Sequence, residues 1–173
     1  KPADHGAGAM DLIDLWDFGP AGIPNESCSY SYHMPFGLYA LTTSSEPGMA
    51  VAADRNPFIT SPMAEAKPIA GFVVEGGREG VKGGNAGQHQ DDGQNVLFLD
   101  SHVGFEKNPY CGINDDNIYT YWDGGDIRRG APPAGAASPQ DRTDSLLVQD
   151  GDAPGGGTGG GAAPKGRACF LAE

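Results

Sequence analysis

Short runs of alternating apolar and polar residues dominate this chain and predict β-strands rather than long helices. One short helix of one or two turns is predicted at residues 9–16, where Met10, Ile13 and Trp16 recur at helical spacing. The pattern as a whole predicts an α+β fold that is mostly antiparallel β, with a small twisted sheet, long loops and little helix. Strand-length runs occur at residues 28–33, 49–53, 69–75, 95–99, 102–106, 117–122 and 144–148.

Within two of these runs the alternation also predicts which side chains share a face of the sheet. Tyr30 and Tyr32 should lie on one face of the first strand, because side chains two residues apart point the same way. In the run 117–122, three side chains should lie on one face of the strand and two on the other. The first set is Ile118, Thr120 and Trp122, and the second is Tyr119 and Tyr121.

The runs 95–99 and 102–106 are separated by only Asp100 and Ser101, which predicts a tight β-hairpin. A two-residue loop sets Leu99 opposite His102, Phe98 opposite Val103 and Val96 opposite Phe105. Such a turn usually needs a positive φ at its second position, which glycine accepts and serine resists. Ser101 therefore predicts either a strained turn or a longer loop. The predicted core face consists of Val96, Phe98, Val103 and Phe105.

Glycine-rich segments divide the rest of the chain. Residues 76–87 contain six glycines and read as a long mobile loop, and residues 123–142 read as an irregular excursion. Residues 1–150 are predicted to form a single domain, and residues 151–173 a Gly-rich linker followed by a C-terminal tail. The final residues, 167–173, are apolar enough to dock onto a neighbour.

Composition narrows the class of protein. A chain of 173 residues with 38% hydrophobic residues, 28 glycines and 14 prolines can bury one core but is unsuited to a mainly helical fold. Its formal charge of −12 argues against nucleic acid and anionic lipid as partners, because both would repel it. No apolar run reaches the length that spans a membrane.

Carboxylates and histidines crowd around the predicted hairpin. Asp91, Asp92 and Asp100, with Asp54 joining them in space, form a candidate site for a divalent metal, and Ca²⁺ is the ion that favours such oxygen ligands. Histidine suits zinc or another transition metal better than calcium. The competing interpretation is a structural latch, in which His89 hydrogen-bonds Asp100 or a backbone carbonyl and holds the loop against the hairpin. The latch set is His89, Asp100 and His102.

The three cysteines form no CxxC pair, so a zinc or redox site is poorly supported. In an exported protein one disulfide is possible, and Cys28–Cys111 is the first pairing to test. Unpaired, partly buried thiols are the alternative. Cys169 lies in the tail and is either free or available to another chain.

Motifs for catalysis are missing from the sequence. It contains no GxSxG, HExxH or P-loop motif, and no residue is marked as a nucleophile next to His33, His89 or His102. The acidic loops at residues 114–117 and 123–126 lack the twelve-residue EF-hand spacing. We therefore expect a protein that is not an enzyme.

The central segment resembles the C-terminal domain of bacterial prepilin-like proteins, which are related to type II secretion pseudopilins and type IV pilins. In those proteins a His is followed after roughly ten residues by Asp-Gly; here Ser101 takes the place of the usual Gly. Further similar segments lie at residues 29–32, 53–57, 116–120 and 144–148, so the resemblance covers most of residues 10–150. The central matches are His89, residues 93–98, Asp100, His102, Val103 and Phe105.

The resemblance implies a pilin-like globular head that acts as a noncatalytic structural subunit. Its setting would be an extracellular filament or a secretion-associated assembly of an exported bacterial protein. The implied partners are further copies of the chain or other pilin-like subunits, with a structural calcium as a possible cofactor. The membrane would be contacted only through an N-terminal apolar helix, which this sequence does not contain. Because the chain starts at Lys1, a processed or trimmed product is expected.

A second hypothesis is a calcium- or carbohydrate-binding module of the cell surface. It rests on the acidic loops and on the aromatic residues at 30–32 and 119–122, since rows of aromatic rings can bind sugars. Aromatic side chains on a sheet serve packing more often than binding.

Overall fold

The computed structural model describes residues 29–35, 37–60, 64–133 and 137–149, and these contain one five-stranded antiparallel sheet. The strand order is β4-β3-β2-β1-β5. This confirms the predicted fold class, mostly antiparallel β with little helix. The predicted helix at residues 9–16 lies outside the described residues. The strands are β1 (Tyr30–His33), β2 (Ala50–Asp54), β3 (Gln94–Phe98), β4 (Val103–Glu106) and β5 (Leu147–Val148).

The described helices are short. A single α-helix, α1, spans Gly77–Lys82, and single 3-10 turns occupy Ile69–Gly71, Gly87–His89 and Ile113–Asp115. Two predictions are therefore wrong. The run 69–75 forms a 3-10 turn followed by a hydrogen-bonded turn instead of a strand, and the glycine-rich segment 76–87 contains α1 instead of being loop throughout.

The predicted strand at residues 117–122 is also wrong. Asn117 accepts a hydrogen bond from the Tyr119 amide through its side-chain oxygen, and its carbonyl accepts one from the Thr120 amide, so the chain turns there. Ile118, Tyr119 and Thr120 are all buried, which removes the two-face alternation that a strand would show. One isolated bridge, Tyr121 to Ala131, is the only sheet-like pairing of this segment that the described residues contain.

The sheet has one buried face and one partly open face. Across the buried face, Ser31, Ala53 and Val96 lie side by side, because Ser31 pairs with Ala53 and Ala53 with Val96. The main hydrophobic core forms against this face. It includes Ala50, Ala53, Phe58, Phe72, Ala86, Val96, Phe98, Ile118, Tyr119 and Leu147.

On the opposite face, Tyr30 and Tyr32 lie together as predicted, since they pair with Asp54 and Ala52. Tyr32 packs against a second, smaller buried cluster of Met34, Ile59, Leu146 and Val148. The part of this face that lies over β2, β3 and β4 stays partly exposed, and we call it the open face. Its side chains are Ala52, Asp54, Asn95, Leu97, Val103 and Phe105.

The central hairpin forms, but its register differs from the prediction by one residue. Leu97 pairs with Val103, and Val96 pairs with Gly104. A shift of one residue moves every side chain of a strand to the other face. The predicted core face is therefore half wrong: Val96 and Phe98 are buried, whereas Val103 is 66% and Phe105 48% exposed.

The loop explains the shift, because it contains three residues instead of two. Phe98 donates its amide to the His102 carbonyl at 3.0 Å, and Ser101 donates its amide to the Phe98 carbonyl at 2.9 Å. Ser101 adopts a φ of 73°, which completes a turn followed by one left-handed residue. Leu99 belongs to the loop, and its amide is held by the Met49 carbonyl at 2.9 Å. Both alternatives that the serine predicted, a longer loop and a strained residue, are thus realised together.

Replacing this serine with glycine should stabilise the protein. The substitution Ser101→Gly removes the left-handed strain of a residue that carries a Cβ, and we expect a gain of about 1 kcal/mol in the free energy of unfolding. Denaturant unfolding of both proteins measures it. Ser44→Gly, in an exposed turn, is the control and should not stabilise. A Ser101→Gly protein no more stable than the parent would contradict the strained turn.

Candidate functional site

The most concentrated polar cluster on the sheet lies on the open face, where Asp54 and Asn95 are neighbours on β2 and β3. Phe105 pairs with Asn95, and Tyr30 pairs with Asp54, so an aromatic side chain stands at each end of this polar row. The 3-10 turn Gly87–His89 crosses the row and sets the His89 ring above it. Strands β2 and β3 and the 3-10 turn that precedes β3 therefore build the cluster together.

His89 lies against two polar side chains and one ring. Its Nε2 atom lies 3.1 Å from Asp54 Oδ2 and 2.9 Å from Asn95 Nδ2. The ring meets Phe105 edge-on, with centroids 5.5 Å apart and an interplanar angle of 85°. Since a carboxylate only accepts hydrogen bonds, the Nε2–H of His89 is the donor to Asp54. The Asn95 Nδ2 is also a donor, so it donates to the same Asp54 oxygen and only lies beside the ring nitrogen.

Asp54 is the anchor of the cluster. Its side chain is only 7% exposed, whereas that of His89 is 41% exposed. The Oδ2 atom also accepts the Asn95 amide at 2.7 Å and the Asn95 Nδ2 at 3.3 Å. A nearly buried carboxylate needs such donors, because burying a charge without partners costs several kcal/mol. The arrangement suits a structural latch that fixes the loop after α1 onto the sheet.

The latch was predicted with the wrong partner. His89 contacts Asp54 in place of Asp100, and Asp100 pairs with the second histidine of the predicted set, His102. The Asp100 carboxylate accepts the His102 amide at 3.1 Å and lies 2.5 Å from its Nδ1, and these hydrogen bonds lower the pKa of Asp100. The His102 ring stacks on Phe98 at 4.4 Å. This second pair closes the hairpin loop.

The four carboxylates predicted to bind metal do not converge. Asp54 and Asp100 bind the two histidines, Asp91 lies 2.6 Å from Lys67 Nζ, and Asp92 lies 2.9 Å from Arg78. Among the described residues no group of three His, Cys, Asp or Glu side chains could hold a metal ion. Each of the four carboxylates lies against its own partner instead, so the predicted convergence is not seen among them.

Lys67 fixes the segment after α1 from a different side. Its ammonium donates to the Lys82 carbonyl at 3.2 Å, to the Asn85 carbonyl at 2.8 Å and to Asp91. Three acceptors satisfy all three N–H groups of the ammonium; one is the carbonyl of the last residue of α1 and another is a carbonyl in the loop after it. Lys67 therefore holds the end of α1 and the loop that follows it together, on the N-terminal and C-terminal sides of His89. No sequence pattern pointed to this residue.

Buried acids form a second polar group that the sequence did not indicate. Asp116 is 1% exposed and accepts the Ser145 amide at 2.7 Å, and Asp144 accepts the amides of Trp122 and Gln140. Burial raises the pKa of Asp116 to about 8 and that of Asp144 to about 6. Both carboxylates accept hydrogen bonds from backbone N–H groups of neighbouring loops, and they thereby hold these loops in place.

The aromatic row proposed for sugar binding is not assembled. Tyr119 is fully buried and Tyr32 packs against the second cluster, whereas Tyr30 is 61% exposed. The Trp122 indole donates to the Gly125 carbonyl at 2.9 Å. These residues therefore do not form one continuous exposed platform, although Tyr30 and Phe105 border the polar row.

Cys111 is half-buried, and burial raises the pKa of its thiol far above the usual range. Such a thiol is a poor nucleophile, since the thiolate is the reactive form. The proposed partner Cys28 and the tail residue Cys169 lie outside the described residues, so the Cys28–Cys111 pairing stays a prediction.

Comparison with known proteins yields no relative. No protein-family model matches the chain, and neither a curated protein nor a solved structure matches it. The resemblance to prepilin-like proteins therefore stays an expectation. In the part of the chain that the structure describes, every helix is too short or too polar to cross a membrane.

Removing the latch histidine should destabilise the fold. We expect His89→Ala to lower the free energy of unfolding by about 1–2 kcal/mol, because the nearly buried Asp54 carboxylate loses a donor. Denaturant unfolding provides the measurement. Gln88→Ala, an exposed change in the same turn, should stay within about 0.5 kcal/mol. If the two variants are equally stable, His89 is not a latch and deserves testing as a ligand position.

Removing the buried acid should change the pH dependence of stability. The folded pKa of Asp116 lies above its unfolded value, so its ionisation costs stability as pH rises from about 4 to 8. The gain from Asp116→Asn should therefore grow with pH in this window, by up to about 1.4 kcal/mol per unit. The pKa of the buried His33 is lowered and gives the opposite trend, which cancels in the difference between the two proteins. Urea unfolding at pH 4, 6 and 8 measures this difference, and a constant difference would contradict the raised pKa.

Proposed function

We propose that this chain is the globular head of a noncatalytic structural subunit, pilin- or pseudopilin-like, that works by packing against other subunits. The setting would be an extracellular filament or a secretion-associated assembly of an exported protein. The observation that supports the proposal most is strand β4. It lies at the edge of the sheet, with β3 as its strand neighbour on one side.

An edge strand of this kind is suited to association. Its outer backbone groups can pair with another chain, and Val103 and Phe105 present large apolar side chains beside them. Natural monomers protect such edges with charges or cover them. Here Glu106 and Lys107 provide charge only at the end of the strand. The exposed apolar surface thus continues from the strand edge onto the open face, as an interface would require.

Each polar group described above has a structural role that fits this proposal. The His89–Asp54 pair, the His102–Asp100 pair and the Lys67 ammonium all hold loops onto the sheet. A rigid platform is what a packing subunit needs, because ordering flexible loops at an interface costs free energy. Calcium stays a possible ligand of the assembled protein.

A charge on the exposed edge should weaken self-association. We expect Val103→Glu to raise the dissociation constant between subunits at least about tenfold, since it places a charge where an apolar side chain would be buried. Sedimentation velocity over a wide concentration range, with electron microscopy of the native protein for filaments, provides the measurement. Leu38→Glu, an exposed apolar position in a turn away from the sheet, is the control. A native protein that stays monomeric and forms no filament would overturn the proposal.

A further inference from the structure

The two edges of the sheet differ in how far the chain itself covers them. At the β5 edge the Met34 amide donates to the Leu146 carbonyl, so the next residue, Leu147, directs its backbone groups away from β1. The Leu147 amide donates to the Ile118 carbonyl at 2.8 Å, and its carbonyl accepts the Asn56 Nδ2 at 2.7 Å. Both residues of β5 are fully buried. Contacts within the chain therefore close this edge.

The β4 edge has no such cover among the described residues. Successive residues of an antiparallel strand direct their backbone groups alternately toward a neighbouring strand and away from it. The Phe98 amide donates to the His102 carbonyl, so His102 faces β3 and, two residues later, Gly104 does too. Val103 and Phe105 therefore direct their N–H and C=O groups outward, where no described residue bonds to them. Their side chains are 66% and 48% exposed.

We propose that two copies of this chain pair along their β4 strands, antiparallel and about a twofold axis at Gly104, to form one continuous sheet from the two five-stranded sheets. The proposal rests on the proposed function, since it names the partner that packs against β4. Because the β5 edge is closed, β4 of one copy cannot add to β5 of another, and only β4 remains as its partner strand. An interface that uses the same strand in both copies closes at a dimer. Filaments would then join such dimers through a different surface.

The outward backbone groups select one register for this pairing. With Gly104 opposite Gly104 of the second copy, Val103 lies opposite Phe105, and the two equivalent pairs exchange four hydrogen bonds. The paired valine and phenylalanine also contact each other on the open face, which stabilises an antiparallel pair. A shift of two residues in one direction would set Phe105 opposite Ser101, whose φ of 73° lies outside strand geometry. The opposite shift would set the apolar Val103 against the charge of Lys107.

The same register keeps like charges apart, which matters in a chain of net charge −12. The only acidic side chain between residues 102 and 106 is Glu106, and it lies opposite His102 of the second copy. The two copies of Glu106 are four residues apart along the paired strands, about 14 Å. That separation exceeds the Debye length of about 8 Å at physiological ionic strength. Repulsion across the paired strands is therefore weak.

A proline at the outward amide tests the backbone pairing. Val103→Pro keeps an apolar side chain and removes an N–H that takes no part in the β3–β4 pairing, so the fold should tolerate it at this edge. We expect the dissociation constant of the dimer, measured by sedimentation velocity, to rise at least about tenfold, because two of the four hydrogen bonds are lost. Val103→Ile keeps the N–H and is the matched control, which should stay within about threefold of the parent.

The outcomes separate this proposal from the proposed function. A parent chain that stays monomeric at every concentration and forms no filament would overturn both. Association that Val103→Pro leaves unchanged would overturn the β4 pairing alone, because the subunits would then pack through another surface.

Cysteine crosslinking tests the register without a proline. With the three native cysteines replaced by serine, Gly104→Cys places a thiol on the twofold axis, where the Cα atoms of the two copies should be about 4.5 Å apart and within disulfide reach. The closest atom to the new Cβ is the Glu106 Oε1 at 2.7 Å, at the end of a flexible side chain. Glu106→Cys is the control, on the same face of the same strand but about 14 Å from its own copy. We expect diamide to link Gly104→Cys at least about tenfold faster than the control. Equal rates in the two variants would overturn the pairing at Gly104.

Discussion

The fold depends on one buried amide side chain more than on any other polar group. Asn56 is 1% exposed, and its Nδ2 donates to the Tyr119 carbonyl at 2.8 Å and to the Leu147 carbonyl at 2.7 Å. Its Oδ1 accepts the Phe58 amide at 2.8 Å. The turn after β2, the segment that crosses the core and the closing strand β5 therefore meet at a single side chain. Without it, buried carbonyls would lose their donors, at a cost of about 1–3 kcal/mol each.

The candidate site depends on the same turn. Tyr119 is fully buried, and its hydroxyl donates to the Asp54 carbonyl at 2.9 Å, so the segment that Asn56 holds also positions the residue that anchors His89. Asp54 in turn orders Asn95 and the 3-10 turn above it. Consecutive hydrogen bonds therefore connect the buried Asn56 to the half-exposed His89 through Tyr119 and Asp54. These hydrogen bonds hold the open face in one arrangement, and the proposed packing between subunits depends on that arrangement.

Sequence patterns predicted the strands well where one face is buried and the other is open. Strands β1 to β4 were found within about one or two residues, as expected for such boundaries. The strand at residues 117–122 was predicted wrongly because its first four residues are all buried, so the sequence pattern there does not distinguish a buried face from an exposed one. The hairpin register was missed for a different reason. Whether Leu99 belongs to the strand or the loop is decided by the Met49 carbonyl, fifty residues earlier in the chain.

The sequence predicted which polar residues take part in the candidate site, but not which of them contact each other. Crowding of Asp91, Asp92 and Asp100 next to His89 suggested a shared ion, yet in the fold each of these carboxylates lies against a different side chain. Two of the deciding residues are Lys67 and Arg78. Lys67 precedes the predicted strand at residues 69–75, and Arg78 lies in the segment 76–87 that was predicted to be a loop. Acidic residues that are close in sequence show only that the local charge is negative. Metal binding requires that their oxygen atoms converge in space and are not already paired with cations. Asp54 is the one carboxylate of the four that is nearly buried, and its hydrogen bonds come from a histidine ring and a backbone amide. That combination favours the interpretation of the cluster as a latch over that as a cation site.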